Sequence, residues 1–112
     1  MAPVALAARL FHGFADPTRM AILLALLEGE RRVSDLVAEV GGSQSNVSGH
    51  LACLRECGLV VARPSDRRQV FYRLSGPEVS DVLHAAGRLL GSTGHAVALC
   101  SNPFMDPRTD DG

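Results

Sequence analysis

The sequence predicts a mainly α-helical domain that carries a single β-hairpin. Apolar residues recur at helical spacing in several segments, and residues 20–27 are apolar almost all round. A short helical pattern, the pair Gly41-Gly42 and a second amphipathic pattern then follow one another. Two stretches rich in β-branched and aromatic residues flank the polar segment 64–68. This order of elements predicts a winged helix-turn-helix fold.

The first two helices are predicted from apolar spacing and a capping signal. Residues 4–14 repeat apolar side chains at helical intervals, and Arg9 inside them favours a helix over a signal peptide. Asp16 is the predicted N-cap of the second helix, with Pro17 at its first position. This almost wholly apolar helix should be buried. Since no apolar run is long enough to span a bilayer, we expect a cytoplasmic protein with no membrane partner.

Two further helices are predicted around the glycine pair. Ser34 is the predicted cap of a short third helix over residues 35–40. The fourth helix is predicted within residues 43–58, with Ser43 as its N-cap and Gly58 as the glycine that ends it. Its single apolar stripe consists of Val47, Leu51 and Leu54.

The polar start of the fourth helix is the predicted base-reading surface. Its short donor and acceptor side chains suit base edges and phosphates in a major groove. The chain has a net charge of −1, but residues 44–73 hold five arginines against two acidic residues. Two of these arginines lie in the predicted hairpin turn, where they would meet phosphates. The predicted DNA-binding residues are Ser43, Gln44, Ser45, Asn46, Ser48, His50, Arg67 and Arg68.

The three cysteines form the second predicted site. Cys53 and Cys57 are four residues apart and so share a helix face, turned about 80–120° from the middle of the apolar stripe. An odd number of cysteines argues against a closed disulfide framework. Thiolates suit soft cations, and three sulfurs suit trigonal Pb(II) or As(III), whereas zinc prefers four ligands. The simpler alternative is that the cysteines are small buried hydrophobic residues.

The end of the chain is predicted to serve assembly and metal binding. Residues 78–90 should form a last helix with one apolar side. Because the first and last helices both carry apolar faces, we expect a homodimer. We divide the chain into a domain with its dimerisation helices, residues 1–94, and a flexible tail, residues 95–112, that carries Cys100.

These features resemble the ArsR/SmtB family of metal-sensing repressors. The resemblance covers about residues 8–90 and is carried by ADPTR (15–19), SNVSGHLACLRECGLV (45–60) and RRQVFYRL (67–74). It is strongest to the cadmium- and lead-sensing members, whose thiol positions correspond to Cys53, Cys57 and Cys100. The resemblance implies a homodimer that binds an inverted repeat in double-stranded operator DNA as the apo-protein. It releases the operator on binding Cd(II) or Pb(II), with As(III) or Zn(II) as alternative inducers.

Several alternatives stay open. Some family members bind zinc through an Asp-x-His-x10-His-x2-Glu/His pattern. Here His84 and His95 keep the central spacing, but Asp81 is displaced by one residue and Ala98 replaces the last ligand. His95 could also complete the thiol site. The same fold could instead respond to thiol oxidation, or be an interaction module that does not bind DNA. We expect neither an enzyme nor a small organic substrate, since no histidine–acid pair accompanies the serines.

Overall fold

The computed structural model describes residues 2–92, which fold into helices and a small antiparallel sheet. Residues 93–112 lie outside this range, and with them the predicted tail, Cys100 and His95. The elements are α1 (Pro3–Phe14), α2 (Pro17–Leu26), β1 (Arg31–Arg32), α3 (Val33–Val40), α4 (Gln44–Glu56), β2 (Val60–Pro64), β3 (Val70–Leu74) and α5 (Pro77–Ser92). The predicted winged helix-turn-helix is confirmed: α3 and α4 form the helix-turn-helix, and β2 and β3 form the wing.

Helix α2 is the centre of the core, as its composition predicts. All residues from Ala21 to Leu26 are buried, and the helix packs against α3, α4 and β3. Helix α4 contributes its apolar stripe, in which Val47 and Leu54 have no exposed surface. Helix α5 contributes Leu83, which is also fully buried. Because the core is aliphatic and close-packed, the position of α4 on α2 is set by the shape of these side chains.

Two of the three predicted helix caps are confirmed. The Asp16 carboxylate accepts a hydrogen bond from the Arg19 amide at 3.0 Å, and the Ser43 hydroxyl accepts one from the Asn46 amide at 3.1 Å. The prediction that Ser34 caps α3 is wrong. Helix α3 already begins at Val33, and Ser34 is exposed in its first turn.

The carboxylate of Asp35 stabilises the start of α3 instead. It accepts a hydrogen bond from the Arg32 amide at 3.0 Å, and its other oxygen lies 3.2 Å from the Arg32 guanidinium. A negative charge in the first turn also interacts favourably with the helix dipole. These interactions explain why α3 starts two residues earlier than the sequence predicts.

The sheet has three strands in the order β1-β3-β2, all antiparallel. The predicted hairpin pairs Val60 with Leu74 and Ala62 with Tyr72. Strand β1 was not predicted, because two adjacent arginines show neither apolar alternation nor β-branched side chains. It forms where the connection between α2 and α3 passes along the free edge of β3, and pairs Arg31 with Tyr72.

Within the described part of the chain, every helix is too short or too polar to cross a lipid bilayer.

Loss of the Asp16 carboxylate should destabilise the domain. We expect Asp16→Ala to lower the free energy of unfolding by about 1 kcal/mol, the usual loss on removal of a capping side chain. Asp16→Asn should stay within about 0.5 kcal/mol of the parent, because asparagine caps equally well. Urea unfolding at a fixed protein concentration measures both variants. Equal losses for alanine and asparagine would contradict the capping role.

The asparagine variant should become the more stable protein in acid. The hydrogen bond from the Arg19 amide lowers the pKa of Asp16, and the nearby His50 lowers it further. A carboxylate with a lowered pKa stabilises the fold at neutral pH, and that contribution is lost as the pH falls through its folded-state pKa. The parent should therefore lose stability relative to Asp16→Asn below about pH 4. If the free energy of unfolding fell equally with pH in the parent and in Asp16→Asn, the result would contradict this prediction.

Candidate nucleic-acid interface and thiol site

The turn between α3 and α4 depends on its two glycines. Gly41 and Gly42 have φ angles of +90° and +94°, a left-handed region that other residues rarely adopt. A side chain at Gly41 would meet no atom within 4 Å, so the backbone angle rather than space requires glycine there. This turn allows α4 to leave the core at its N-terminal end, where the helix faces solvent.

The predicted DNA-binding residues of α4 fall into two groups. Five are exposed at its N-terminal end, and His50 is not. Only 21% of the His50 side chain is exposed, and its Nδ1 lies 3.9 Å from Oδ2 of Asp16. His50 therefore faces the start of α2, whereas the other five are accessible to a macromolecule. The exposed residues are Ser43, Gln44, Ser45, Asn46 and Ser48.

The arginines around the wing have two distinct environments. Arg63 donates two hydrogen bonds to the Glu30 carboxylate, from Nε at 3.0 Å and from Nη2 at 2.8 Å. Its guanidinium also lies 5.0 Å from the centroid of the Phe71 ring. These contacts hold the wing against the segment that follows α2, and the hydrogen bonds from Arg63 lower the pKa of Glu30. Sequence reasoning missed this pair because its members are 33 residues apart.

The tip of the wing presents the two arginines that the sequence predicts. Arg67 and Arg68 are exposed, and neither forms an ion pair among residues 2–92. Arg68 has a φ angle of +60°, and the Ser65 amide donates to the Gln69 carbonyl at 2.8 Å to close the turn. Two guanidinium groups on a closed turn can contact phosphates without first breaking an ion pair.

The two thiols lie at the C-terminal end of α4, Cys53 in its last turns and Cys57 at its C-cap. Cys53 and Cys57 are both reduced and half-buried. Cys57 packs against the core, close to Gly13 in the last turn of α1. Burial raises the pKa of the Cys57 thiol, and the adjacent Cys53 raises it further. Arg19 and Arg9 lower it by smaller amounts. Cys57 therefore holds its proton more firmly than an ordinary thiol.

A cleft of about 220 Å³ leads to Cys57 from the α1 side. Its walls are formed by Leu6, Arg9, Leu10, Glu56 and Cys57. A soft ion can therefore approach a sulfur that the core otherwise encloses. Two thiols one helical turn apart form a suitable part of a soft-metal site. Residues 2–92 contain no cluster of three or more metal-binding side chains, so such a site needs a ligand from outside them.

The predicted third ligand, Cys100, lies outside the described residues, as does His95. Of the alternative zinc site, the described residues therefore include only Asp81 and His84. Asp81 and His84 are exposed on α5, and Nδ1 of His84 lies 3.4 Å from the Ser80 hydroxyl.

Comparisons with known proteins agree with this architecture. Residues 16–61 match the family described as bacterial regulatory protein, arsR family. A probable mercury resistance operon repressor from Streptomyces lividans is 39% identical over 94 residues, which cover 84% of this chain and 74% of that protein. The HTH-type transcriptional regulator CmtR from Mycobacterium tuberculosis H37Rv is 50% identical over 76 residues. These cover 68% of this chain and 64% of that protein, just under two thirds.

A solved structure extends the similarity to three dimensions. The homodimeric winged helix-turn-helix DNA-binding domain of a Mycobacterium bovis protein superposes with a TM-score of 0.71 at 28% identity. The superposition covers 80% of this chain and 81% of that one. The shared element order is therefore accompanied by a shared arrangement in space.

The environment of Cys57 generates a prediction about its reactivity. Alkylation requires the thiolate, so a raised pKa and partial burial should both slow it. We expect iodoacetamide to label Cys57 more slowly in the native protein than in the same protein unfolded in urea at the same pH. Peptide mapping by mass spectrometry gives both rates. Equal rates would contradict the buried, protonated state of this thiol.

Proposed function

The chain belongs to the ArsR family of bacterial regulatory proteins, and we propose that it is a repressor whose operator binding is controlled by a soft metal ion. It is a DNA-binding transcriptional regulator of the winged helix-turn-helix class and not an enzyme. As the apo-homodimer it binds an inverted repeat in operator DNA. It releases that operator when Cd(II) or Pb(II) binds to cysteine thiolates.

One observation carries the metal part of this proposal: the thiol pair and the polar DNA-facing residues lie on the same helix. Cys53 lies in the C-terminal half of α4, Cys57 is the C-cap of the same helix, and Gln44, Ser45 and Asn46 are exposed at its N-terminal end. A ligand bound at one end of a rigid helix can change the position of the other end. Coupling between two sites in one protein is typically about 1–3 kcal/mol, or about 5–150-fold in affinity.

The ligand chemistry supports a soft ion. Cys53, Cys57 and Cys100 are the residues that would hold it, and three thiolates favour Cd(II), Pb(II) or As(III) over ions that prefer oxygen. The ion supplies only a positive centre that binds thiolates and displaces their protons. Zn(II) is a further alternative if His95 joins the site. A relative named as a mercury resistance repressor is consistent with a thiophilic inducer.

The exposed surface of the terminal helices supports a homodimer. On α1, Val4, Leu6 and Phe11 are 81%, 53% and 57% exposed, and Leu89 on α5 is 64% exposed. Large apolar side chains that lie this open to solvent on two helices indicate an interface. Two-fold symmetry would place the recognition helices about 34–36 Å apart, so that they read half-sites one helical turn apart or a multiple of it.

The wing arginines should contribute affinity but not sequence preference. We expect the double change Arg67→Ala/Arg68→Ala to weaken binding to every DNA sequence and to lower the salt slope by about 1 per lost phosphate contact. Gln44→Ala or Asn46→Ala should instead relax base preference at one position. Arg88→Ala, an exposed arginine on α5, is the matched control. An unchanged salt slope in the double variant would show that the wing does not contact DNA.

The dimer interface can be tested by placing a charge on the apolar surface. We expect the parent to sediment as a dimer at micromolar concentration, and Phe11→Glu or Leu89→Glu to shift it toward monomer, since burying an unpaired carboxylate is costly. Ala38→Glu, at an exposed position on α3, should leave the dimer intact. A monomeric parent would contradict the dimer and the inverted repeat together.

Replacement of the three cysteines should have different effects on Cd(II) binding and on operator release. Cys53→Ser or Cys57→Ser removes a sulfur from a pair that α4 already holds one turn apart, so either change should nearly abolish Cd(II) binding. Cys100→Ser leaves that pair intact and should keep some Cd(II) affinity, but should release operator DNA poorly. Metal affinity should also fall as the pH drops below about 7, because protons compete for the thiolates.

Metal-induced release of labelled operator DNA, measured for the three serine variants, decides the ligand set. Sulfur-to-metal charge-transfer absorption in the same samples gives their metal affinities. If all three variants release DNA as the parent does, the thiol site is wrong, and His84 with His95 becomes the site to test.

A further inference from the structure

The end of α1 and the start of α2 form a corner, residues 12–19, that lies against α4. Arg19 closes this α1–α2 corner. Its Nε donates to the Gly13 carbonyl at 3.0 Å, and its Nη2 donates to the His12 carbonyl at 3.0 Å. These carbonyls belong to the last turn of α1, and the His12 carbonyl also accepts a hydrogen bond from the Ala15 amide at 3.1 Å. The backbone amide of Arg19 also donates to Asp16, so one residue holds both helix ends together.

The corner touches the thiol end of α4 through Gly13. A Cβ atom at position 13 would lie 3.2 Å from Sγ of Cys57 and 3.0 Å from Cδ1 of Leu59, closer than side chains normally pack. Gly13 does not have the positive φ angle that would require glycine. Glycine inside a helix costs about 1 kcal/mol relative to alanine, so the room that it leaves for Leu59 and Cys57 accounts for its presence. A side chain at position 13 would crowd the Cys57 sulfur, so this sulfur lies close to the last turn of α1.

The corner touches α4 a second time through Asp16. Oδ2 of Asp16 accepts the capping hydrogen bond from Arg19 and lies 3.9 Å from Nδ1 of His50. The His50 side chain is 21% exposed and the Asp16 side chain 32% exposed. His50 thus packs between α4 and the start of α2, one turn from the exposed Asn46.

Both contacts lie on one face of α4. His50 and Cys57 are seven residues apart, close to two helical turns and about 10 Å along the axis. Arg19 stabilises the corner between these two contacts through its hydrogen bonds to both helix ends. Because α4 is held at two points on the same face, a shift of the helix at one point should also change the contact at the other.

We propose that the α1–α2 corner couples the thiol site to the DNA-reading end of α4, with Gly13 and Asp16 as positioning residues. This inference rests on the proposed metal response. A metal ion bound at Cys57 would fix the position of its sulfur, which lies where a side chain at position 13 would be only 3.2 Å away. A displacement of that sulfur would move the end of α4 relative to the corner, which would change the His50–Asp16 contact and the orientation of Asn46. In this account His50 orients the helix and does not itself read a base.

Asp16→Asn tests the second contact without removing the helix cap. Asparagine keeps the hydrogen bond to the Arg19 amide but removes the charge that faces His50. We expect unchanged Cd(II) affinity and a reduction of about 2- to 30-fold in the metal-induced loss of operator affinity. The matched control is Asp35→Asn, which alters the carboxylate at the start of α3, and this carboxylate accepts its hydrogen bonds from Arg32. The control should keep the full metal response.

Gly13→Ala tests the first contact. The added methyl group should displace Cys57 in the absence of metal, so the apo-protein should bind the operator more weakly and respond less to Cd(II). Gly91→Ala in α5 is the control, since a Cβ there meets no atom within 4 Å. Thermal unfolding of each variant shows whether it is folded. Asp16→Asn carries the test alone if Gly13→Ala does not fold.

Nuclear magnetic resonance supplies a readout that does not involve DNA. In the parent dimer, Cd(II) should shift the backbone amide signals of residues 44–50 as well as those of residues 53–57. In Asp16→Asn the shifts at 53–57 should remain and those at 44–50 should shrink. The coupling would be overturned if both corner variants kept the full shifts at residues 44–50 and the full operator response. That result would leave the proposed metal function intact. A parent that binds no Cd(II) through its thiols would overturn the proposed function and this inference with it.

Discussion

The packing of α4 on α2 through a single apolar stripe is the constraint on which the rest of the molecule depends. Val47, Leu51 and Leu54 are all buried, and they fix the rotation of α4 about its own axis. Once that rotation is set, the polar residues at the N-terminal end must face solvent. The same rotation leaves Cys53 and Cys57 half-buried, with Cys57 close to Gly13 of α1. One packing interaction thus defines both the exposed polar surface that we propose for DNA contact and the position of the thiols.

Placing both functions on one helix has a thermodynamic consequence. A ligand that changes the affinity for a second ligand must itself be affected by the second ligand to the same degree. Cys57 is half-buried, and its sulfur lies close to Gly13 in the last turn of α1. The adjacent α1 also carries part of the apolar surface that we assign to the dimer. The proposed thiol site is therefore close both to the recognition helix and to the apolar surface that we propose for the dimer.

The sequence predicted the features that local interactions decide. The caps at Asp16 and Ser43 are hydrogen bonds to residues three positions away, and the left-handed glycines act through their own φ angles. It missed features that depend on distant neighbours: strand β1, the Glu30–Arg63 pair and the close approach of Gly13 to Cys57. Helical periodicity placed His50 on the face of Asn46 but could not show that α2 covers it. The wrong cap at Ser34 has a local cause: the Asp35 carboxylate is a stronger, charged acceptor that takes the hydrogen bond from the Arg32 amide.

The central claim is that metal binding at the α4 thiols and operator binding oppose each other within one dimer. The most direct test is the Cd(II) affinity of the parent dimer, measured anaerobically by thiolate charge-transfer absorption, with and without saturating operator DNA. The account predicts that the operator weakens Cd(II) binding by the same factor by which Cd(II) weakens operator binding, within the usual range of about 5–150-fold. Equal Cd(II) affinity in the free and DNA-bound dimer would contradict it.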